Sequence, residues 1–341
     1  MSTHDIIVIG ASAGGVETLI ELVRELPADF SASVFVVLHF PAHISSAMPQ
    51  ILTRVGPLPA AHARHGEVIR PGRIYVAVPD HHLLVHREAV HVVRGPQENR
   101  CRPAIDPLFR SAAVAYGSRV VGVILSGSLY DGAAGLFAVK QHGGVAIVQD
   151  PHEALFPDMP RNALEYVEVD HVLPLAQIAP LLVRLSQEQA KGIPVAVKSE
   201  PEEKELAVVE ADMAAIETKE KPGTPSVFGC PECGGTLWDL QDGELLRFRC
   251  RIGHAFSADS LLSVQAEALE AALWAALRGL EENASLAQRM ADSARARNLT
   301  LAATRFEERV RIVEQQARII RDVLVHGKSP EAAAPKEKDP E

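Results

Sequence analysis

Residues 5–26 read DIIVIGASAGGVETLIELVREL. Asp5–Gly10 is an unbroken apolar run of strand length, as expected for a strand covered on both faces of a parallel sheet. From Gly15 to Glu25 the period changes, and Leu19, Leu22, Val23 and Leu26 fall on one side of a helix. Between them Gly10-Ala11-Ser12-Ala13-Gly14 fits G-x-S-x-G. In such a strand-to-helix turn the small neighbours let a crowded backbone lift a serine hydroxyl clear of the sheet. The next backbone N–H, that of Ala13, is then an oxyanion-hole donor. Two other readings of the loop stand beside this one. Ser12 could only cap the helix. Alternatively Gly10, Ser12 and Gly15 occupy the positions of a G-x-G-x-x-G nucleotide loop, weakened by the serine at the central glycine and by the lack of an acid ending the second strand.

The alternation continues outward. Ser33–His39, Arg119–Leu125 and Gly144–Gln149 read as buried strands, and Ile105–Tyr116 and Asp131–His142 as helices. Arg73–Val78, Leu83–His86 and Ala89–Val93 read as a small antiparallel insertion. The fold class is therefore α/β, a doubly wound, mostly parallel sheet. Its strands end at one edge, where ligands bind. His39 closes the second strand, before Phe40-Pro41 stops it, and is placed beside Ser12 as a base. Asp131 follows the third strand and is the acid that would orient the imidazole, with a helix cap as its other role. Asp80, Asp106 and Asp150 compete for that part.

The chain of 341 residues has 34 Lys and Arg against 44 Asp and Glu, a net charge of −10 that gives no bulk attraction to nucleic acid. The N-terminus shows no signal peptide, and the longest uncharged run, Ala32 to Thr53, carries histidines and prolines and makes a poor membrane span. A cytoplasmic protein is expected. The expected parts are a catalytic domain over 1–190, a charged linker over 191–225, a zinc-ribbon-like module over 226–256, a helical hairpin over 257–327 and a disordered tail over 328–341. Cys230, Cys233, Cys250 and His254 are spaced C-x2-C-x16-C-x3-H, a closed structural Zn²⁺ site, with Trp238 and Phe248 as its small core. Cys101 stands apart and reads as a packed thiol. Leu262, Ala266, Leu269, Leu273, Ala276 and Leu280, then Leu299, Ala302, Phe306, Val310, Val313, Ala317, Ile320 and Leu324, form stripes suited to a helical pair or to self-association.

VIGASAGG at 8–15, VVLHFP at 36–41, IYVAVPDHHLLV at 74–85, NRCRPAIDPLF at 99–109, ILSGSLYDGAAGL at 124–136 and DPHEALFPDMPRNAL at 150–164 resemble the CheB-type protein-glutamate methylesterases. The resemblance covers about residues 4–187. It implies that Ser12 is the nucleophile, His39 the base and Asp131 its partner, with no catalytic cofactor. It also implies hydrolysis of glutamate methyl esters on chemoreceptor cytoplasmic domains, releasing methanol, and in some members glutamine deamidation. The family's N-terminal receiver domain is not expected, since the first strand begins at Asp5, so a response regulator or other partner would act in trans. Ser128 stands where the family has a methionine near the oxyanion site, and its backbone N–H remains a donor. A signalling scaffold with blunted catalysis is the alternative reading.

Overall fold

A computed structural model describes residues 3–40, 46–190, 223–242 and 245–326. Pro41, the expected linker up to 222 and the expected tail lie outside the described residues.

The elements in chain order are β1 (Ile6–Ala11), α1 (Gly15–Arg24), β2 (Ser33–Leu38), α2 (Met48–Val55), β3 (Ala60–His62), β4 (Glu67–Val68), β5 (Ile74–Val76), β6 (His82–Val85), β7 (Ala89–Val93), α3 (Ile105–Tyr116), β8 (Val120–Ile124), α4 (Ala133–Gln141), β9 (Val145–Gln149), α5 (Asp158–Tyr166), β10 (His171–Leu173) and α6 (Leu175–Gln187). Seven strands form one parallel sheet in the order β10-β9-β8-β1-β2-β5-β3. β4, β7 and β6 make the small antiparallel sheet.

Strand alternation assigns the two faces. Ile7, Ile9 and Ala11 of β1, with Val34, Val36 and Leu38 of β2, pack with Leu19, Leu52 and Ile178 from α1, α2 and α6. Ile6, Val8, Phe35 and Val37 pack with Ile105, Leu136 and Met159 from α3, α4 and α5. A buried strand with apolar residues at every position is what two covered faces require. The sequence reading lacked α2, α5 and α6 and the short strands β3, β4 and β10. β4 has only two residues, and Pro180 interrupts the helical pattern of α6.

A second antiparallel sheet comprises β11 (Thr224–Gly229), β12 (Thr236–Asp242), β13 (Leu245–Cys250) and β14 (Ala255–Ser257). Leu237, Phe248, Phe256 and Leu261 fill its core. Leu237, not the expected Trp238, points inward, because adjacent strand residues face opposite sides. The chain then forms α7 (Ala258–Ala296) and α8 (Thr300–His326). These two helices run antiparallel, with Arg321 on Glu281 at 2.5 Å and Arg309 on Asn283 at 3.2 Å. Their buried residues include Leu277, Ala284, Ala287, Ala291, Ala294, Val310, Val313 and Ala317. The stripe expected in the first half of α7 is not buried; Leu262 and Leu269 are exposed. The described residues divide into two units, one through Leu261 and one from Leu262. No helix among them is long and apolar enough to cross a membrane.

Candidate active site

Strand register brings the site together. His39 N–H donates to Ala11 O at 3.2 Å, Ser12 N–H to Ser126 O at 3.0 Å, and Leu125 N–H to Gly10 O at 2.9 Å. The sheet ladder thus runs past the ends of β1, β2 and β8, and Ser12 lies between His39 and the loop that carries Asp131. Ser12 is not the cap of α1: that position is Gly14, at φ +70° and without a side-chain cap bond. A Cβ at Gly14 would stand 2.9 Å from Ser126 Oγ and 3.2 Å from Leu155, so the turn packs closely on the segments after β8 and β9. Side chains also crowd the glycines here: a Cβ at Gly10 would meet Ile105 Cγ2 at 2.5 Å, and one at Gly127 would meet Met159 Sδ and, at 2.9 Å, Ser12 Cβ.

His39 Nε2 pairs with Asp131 Oδ2 at 2.8 Å. Asp131 is buried at the N-terminus of α3, where Ile105 N–H donates to Oδ2 at 2.5 Å and Asp106 N–H to Oδ1 at 3.3 Å. Asn99 Nδ2 donates to Oδ1 as well, at 3.3 Å. Burial opposes ionisation of Asp131, but the His39 bond and charge and these amides outweigh it and hold the carboxyl below its usual range. The rivals have other work. Asp106 Oδ1 accepts from Gly132 and Gly135 N–H at 3.1 and 2.6 Å, anchoring the start of α4, and burial plus the charge of Asp131 push its carboxyl up to about 7. Asp80 holds Arg102 and Arg94, and Asp150 bonds the exposed His152.

The far nitrogen of the ring has an occupant the sequence reading missed. Cys101 Sγ lies 3.8 Å from His39 Nδ1, so Cys101 belongs to the site instead of standing apart. Burial disfavours the imidazolium, yet the neighbouring Cys101 sulfur and the bond and charge of Asp131 prevail, raising His39 to about 10. Among the described residues no hydrogen bond joins Ser12 Oγ to the ring. The two are neighbours by backbone register, and the proton-transfer contact is not formed in this resting arrangement; catalytic contacts of this kind commonly tighten only once substrate is bound. One ligand atom from each of His39, Cys101 and Asp131 lies within 4.8 Å of the other two, with His39 Nε2 and Asp131 Oδ2 in direct hydrogen-bond contact at 2.8 Å.

Of the oxyanion candidates, neither Ala13 N–H nor Ser128 N–H has an acceptor among the described residues. Gly127 N–H between them is already given to Phe156 O at 2.9 Å.

The second constellation lies in the antiparallel sheet. Cys230, Cys233, Cys250 and His254 offer ligand atoms all within 4.8 Å of one another. Cys233 Sγ and Cys250 Sγ are 3.7 Å apart, and His254 Nδ1 stands 3.7 Å from Cys230 Sγ and 3.6 Å from Cys250 Sγ. All four cysteines of the chain are free thiols. Around a tetrahedral Zn²⁺, with Zn–S about 2.3 Å and Zn–N about 2.0 Å, ligand-to-ligand edges are about 3.5–3.8 Å. The residues fit such an ion.

A parallel sheet presenting a serine, a carboxylate-bound imidazole and free backbone donors at its carboxyl edge has the parts that ester hydrolysis requires. The family model described as CheB methylesterase matches residues 7–182. The chain belongs to the CheB methylesterase family, whose enzymes are carboxylic ester hydrolases. It is 39% identical over 185 residues to a putative protein-glutamate methylesterase/protein-glutamine glutaminase of Leptospira interrogans, covering 54% of this chain and 96% of that protein. A protein-glutamate methylesterase/protein-glutamine glutaminase of Ralstonia nicotianae is 37% identical over 190 residues, covering 54% of this chain and 50% of its own length. The chain thus spans half of that relative. The crystal structure of the Thermotoga maritima CheB methylesterase catalytic domain matches with a TM-score of 0.51 and 33% identity, over 54% of this chain and 99% of that one.

Proposed function

We propose that this chain hydrolyses glutamate γ-methyl esters on the cytoplasmic domains of chemoreceptors through Ser12, His39 and Asp131. Substrate binding brings Ser12 Oγ to the ring of His39, which takes its proton at Nδ1 as Oγ attacks the ester carbonyl. Ala13 and Ser128 N–H receive the developing oxyanion. His39 returns the proton to the departing methoxide, methanol leaves, and the same base activates the water that frees the glutamate. Asp131 holds the opposite nitrogen and stabilises the imidazolium. Glutamine side chains are a second substrate on the same route, with ammonia as the leaving group. No cofactor enters these steps.

The observation that carries this reading is the 2.8 Å bond between His39 and the buried Asp131, one strand away from Ser12. The test is methanol release from methylated receptor preparations. Ser12→Ala is expected to abolish it with an unchanged circular dichroism spectrum; retained release would exclude the mechanism. The scaffold reading draws on one observation, the thiol at Nδ1 in place of the serine. It predicts receptor binding without turnover in the same assay.

Cys230, Cys233, Cys250 and His254 would hold one structural Zn²⁺, which when bound fixes the turns of the ribbon and supplies no chemistry to the ester. The reading places the enzyme in the cytoplasm, under a response regulator or other signalling partner in trans. Exposed Leu269, Trp274, Ile312 and Ile319 on the helices support self-association there.

A further inference from the structure

The segment 97–101 crosses from the small antiparallel sheet to α3 and touches both the ribbon and the catalytic groups. Asn99 and Arg100 stand at φ +49° and +63°, consecutive left-handed positions that side chains seldom adopt unaided. The ribbon holds this segment. Asn99 N–H donates to Ala255 O at 2.9 Å, and Ala255 N–H to Gln97 O at 3.3 Å. Glu98 is buried between Arg110 of α3 at 2.7 Å and Arg247 of β13 at 3.7 Å.

The side chain of Asn99, itself buried, joins the two parts. Its Oδ1 accepts the backbone N–H of Ser257 in β14 at 3.0 Å. Its Nδ2 donates to Asp106 Oδ2 at 3.1 Å and to Asp131 Oδ1 at 3.3 Å. An amide has a donor end and an acceptor end. A fixed N–H at Oδ1 therefore decides that the donor end faces the two carboxylates; reversed, the amide would set oxygen against oxygen. The path runs Ser257 N–H, Asn99, Asp131, His39, and ends on the group that must take the serine proton.

We infer that Asn99 is a positioning residue for the esterase, and that the ribbon acts in cis as an orienting clamp: through Ser257 it keeps the Asn99 amide turned so that Asp131 holds His39 in line with Ser12. The inference rests on the Ser12–His39–Asp131 reading. It gives the ribbon a role in the reaction.

The test is a double-mutant cycle on the full chain, assayed by methanol release from a peptide bearing a glutamate γ-methyl ester. Asn99→Ala removes the amide, and Ser257→Pro removes the backbone donor. Each is expected to lower kcat roughly ten- to a hundredfold with KM within about twofold, because neither group touches substrate. The double variant is expected to fall no further than Asn99→Ala, since both changes cut one path. The isosteric Asn99→Asp keeps the acceptor for Ser257 but loses the donor to Asp131, and should reproduce the kcat loss should Asn99→Ala fold poorly. Additive losses in the cycle, or Asn99 variants within twofold of wild-type kcat, would overturn the inference while the triad reading stands. A wild-type chain with no Ser12-dependent turnover would sink both.

Discussion

Asp131 grips one nitrogen of the His39 ring and Cys101 faces the other. A general base must be neutral before it can accept a proton, so the interactions that raise His39 to about 10 oppose the first chemical step at neutral pH. The acid limb of kcat/KM should follow this group, with activity rising as pH climbs through it. Replacing Cys101 by Ala removes one of the two side chains that raise His39 and should lower its pKa. We predict that the acid limb moves to lower pH, with a rise of about tenfold in kcat/KM at pH 7 for each pKa of displacement. A limb that stays in place would show that the thiol does not bear on the base. Ser12, His39 and Asp131 were legible because each follows a strand, and parallel strands end at one edge. Cys101 and Asn99 were not, because they reach the site through a left-handed turn before α3 that no periodicity encodes. Asp106, a rival for the third role in the sequence, lies as near Asn99 as Asp131 does but bonds Gly132 and Gly135 where Asp131 bonds His39.

At the scale of elements, close packing places the reacting groups. β1 lies so near α3 that a methyl group at residue 10 would overlap Ile105, whose N–H binds Asp131. Gly10→Ala should therefore cost about 1–3 kcal/mol in a denaturant titration, and lower kcat as α3 shifts. Loss of activity without loss of stability would contradict the packing argument. Glu98 pins the segment between β7 and α3. Burial opposes its charge, but Arg110 and Arg247 outweigh burial and hold its carboxyl at about 2, below its ordinary 4.5. A depressed carboxyl stabilises the fold fully above its unfolded value, and that contribution fades as pH falls through the folded one. Acid unfolding of the wild type should thus steepen between about pH 4.5 and 2, and Glu98→Gln should flatten that limb and cost about 3–5 kcal/mol at pH 7 by removing the buried charge that Arg110 and Arg247 face. The periodic elements of the sheet were readable to within a residue or two. β3, β4, β10 and the proline-bearing α6 carry too little pattern to read, and Arg73–Val78, read as part of the antiparallel insertion, instead supplies β5 of the parallel sheet, because a strand of three residues does not show which sheet it joins.

At the scale of the molecule, the ribbon and the esterase sheet form one unit through Leu261. Zinc binding and ribbon folding are one equilibrium when four ligands close the ion. Metal analysis of reduced protein should find one zinc per chain, and chelation should unfold residues 224–257, read as loss of amide-exchange protection there and in 97–101. Full occupancy by no metal under reducing conditions would remove the site. The cysteine spacing made this module legible from the sequence, whereas its seat against Asn99 depended on contacts between segments more than 150 residues apart. The central claim remains the serine and its base. It is tested most directly by treating the full chain with a fluorophosphonate probe and locating the label by mass spectrometry. The account predicts modification at Ser12, absent in Ser12→Ala and slowed at least about a hundredfold in His39→Ala; an unlabelled Ser12, or labelling indifferent to His39, would contradict it.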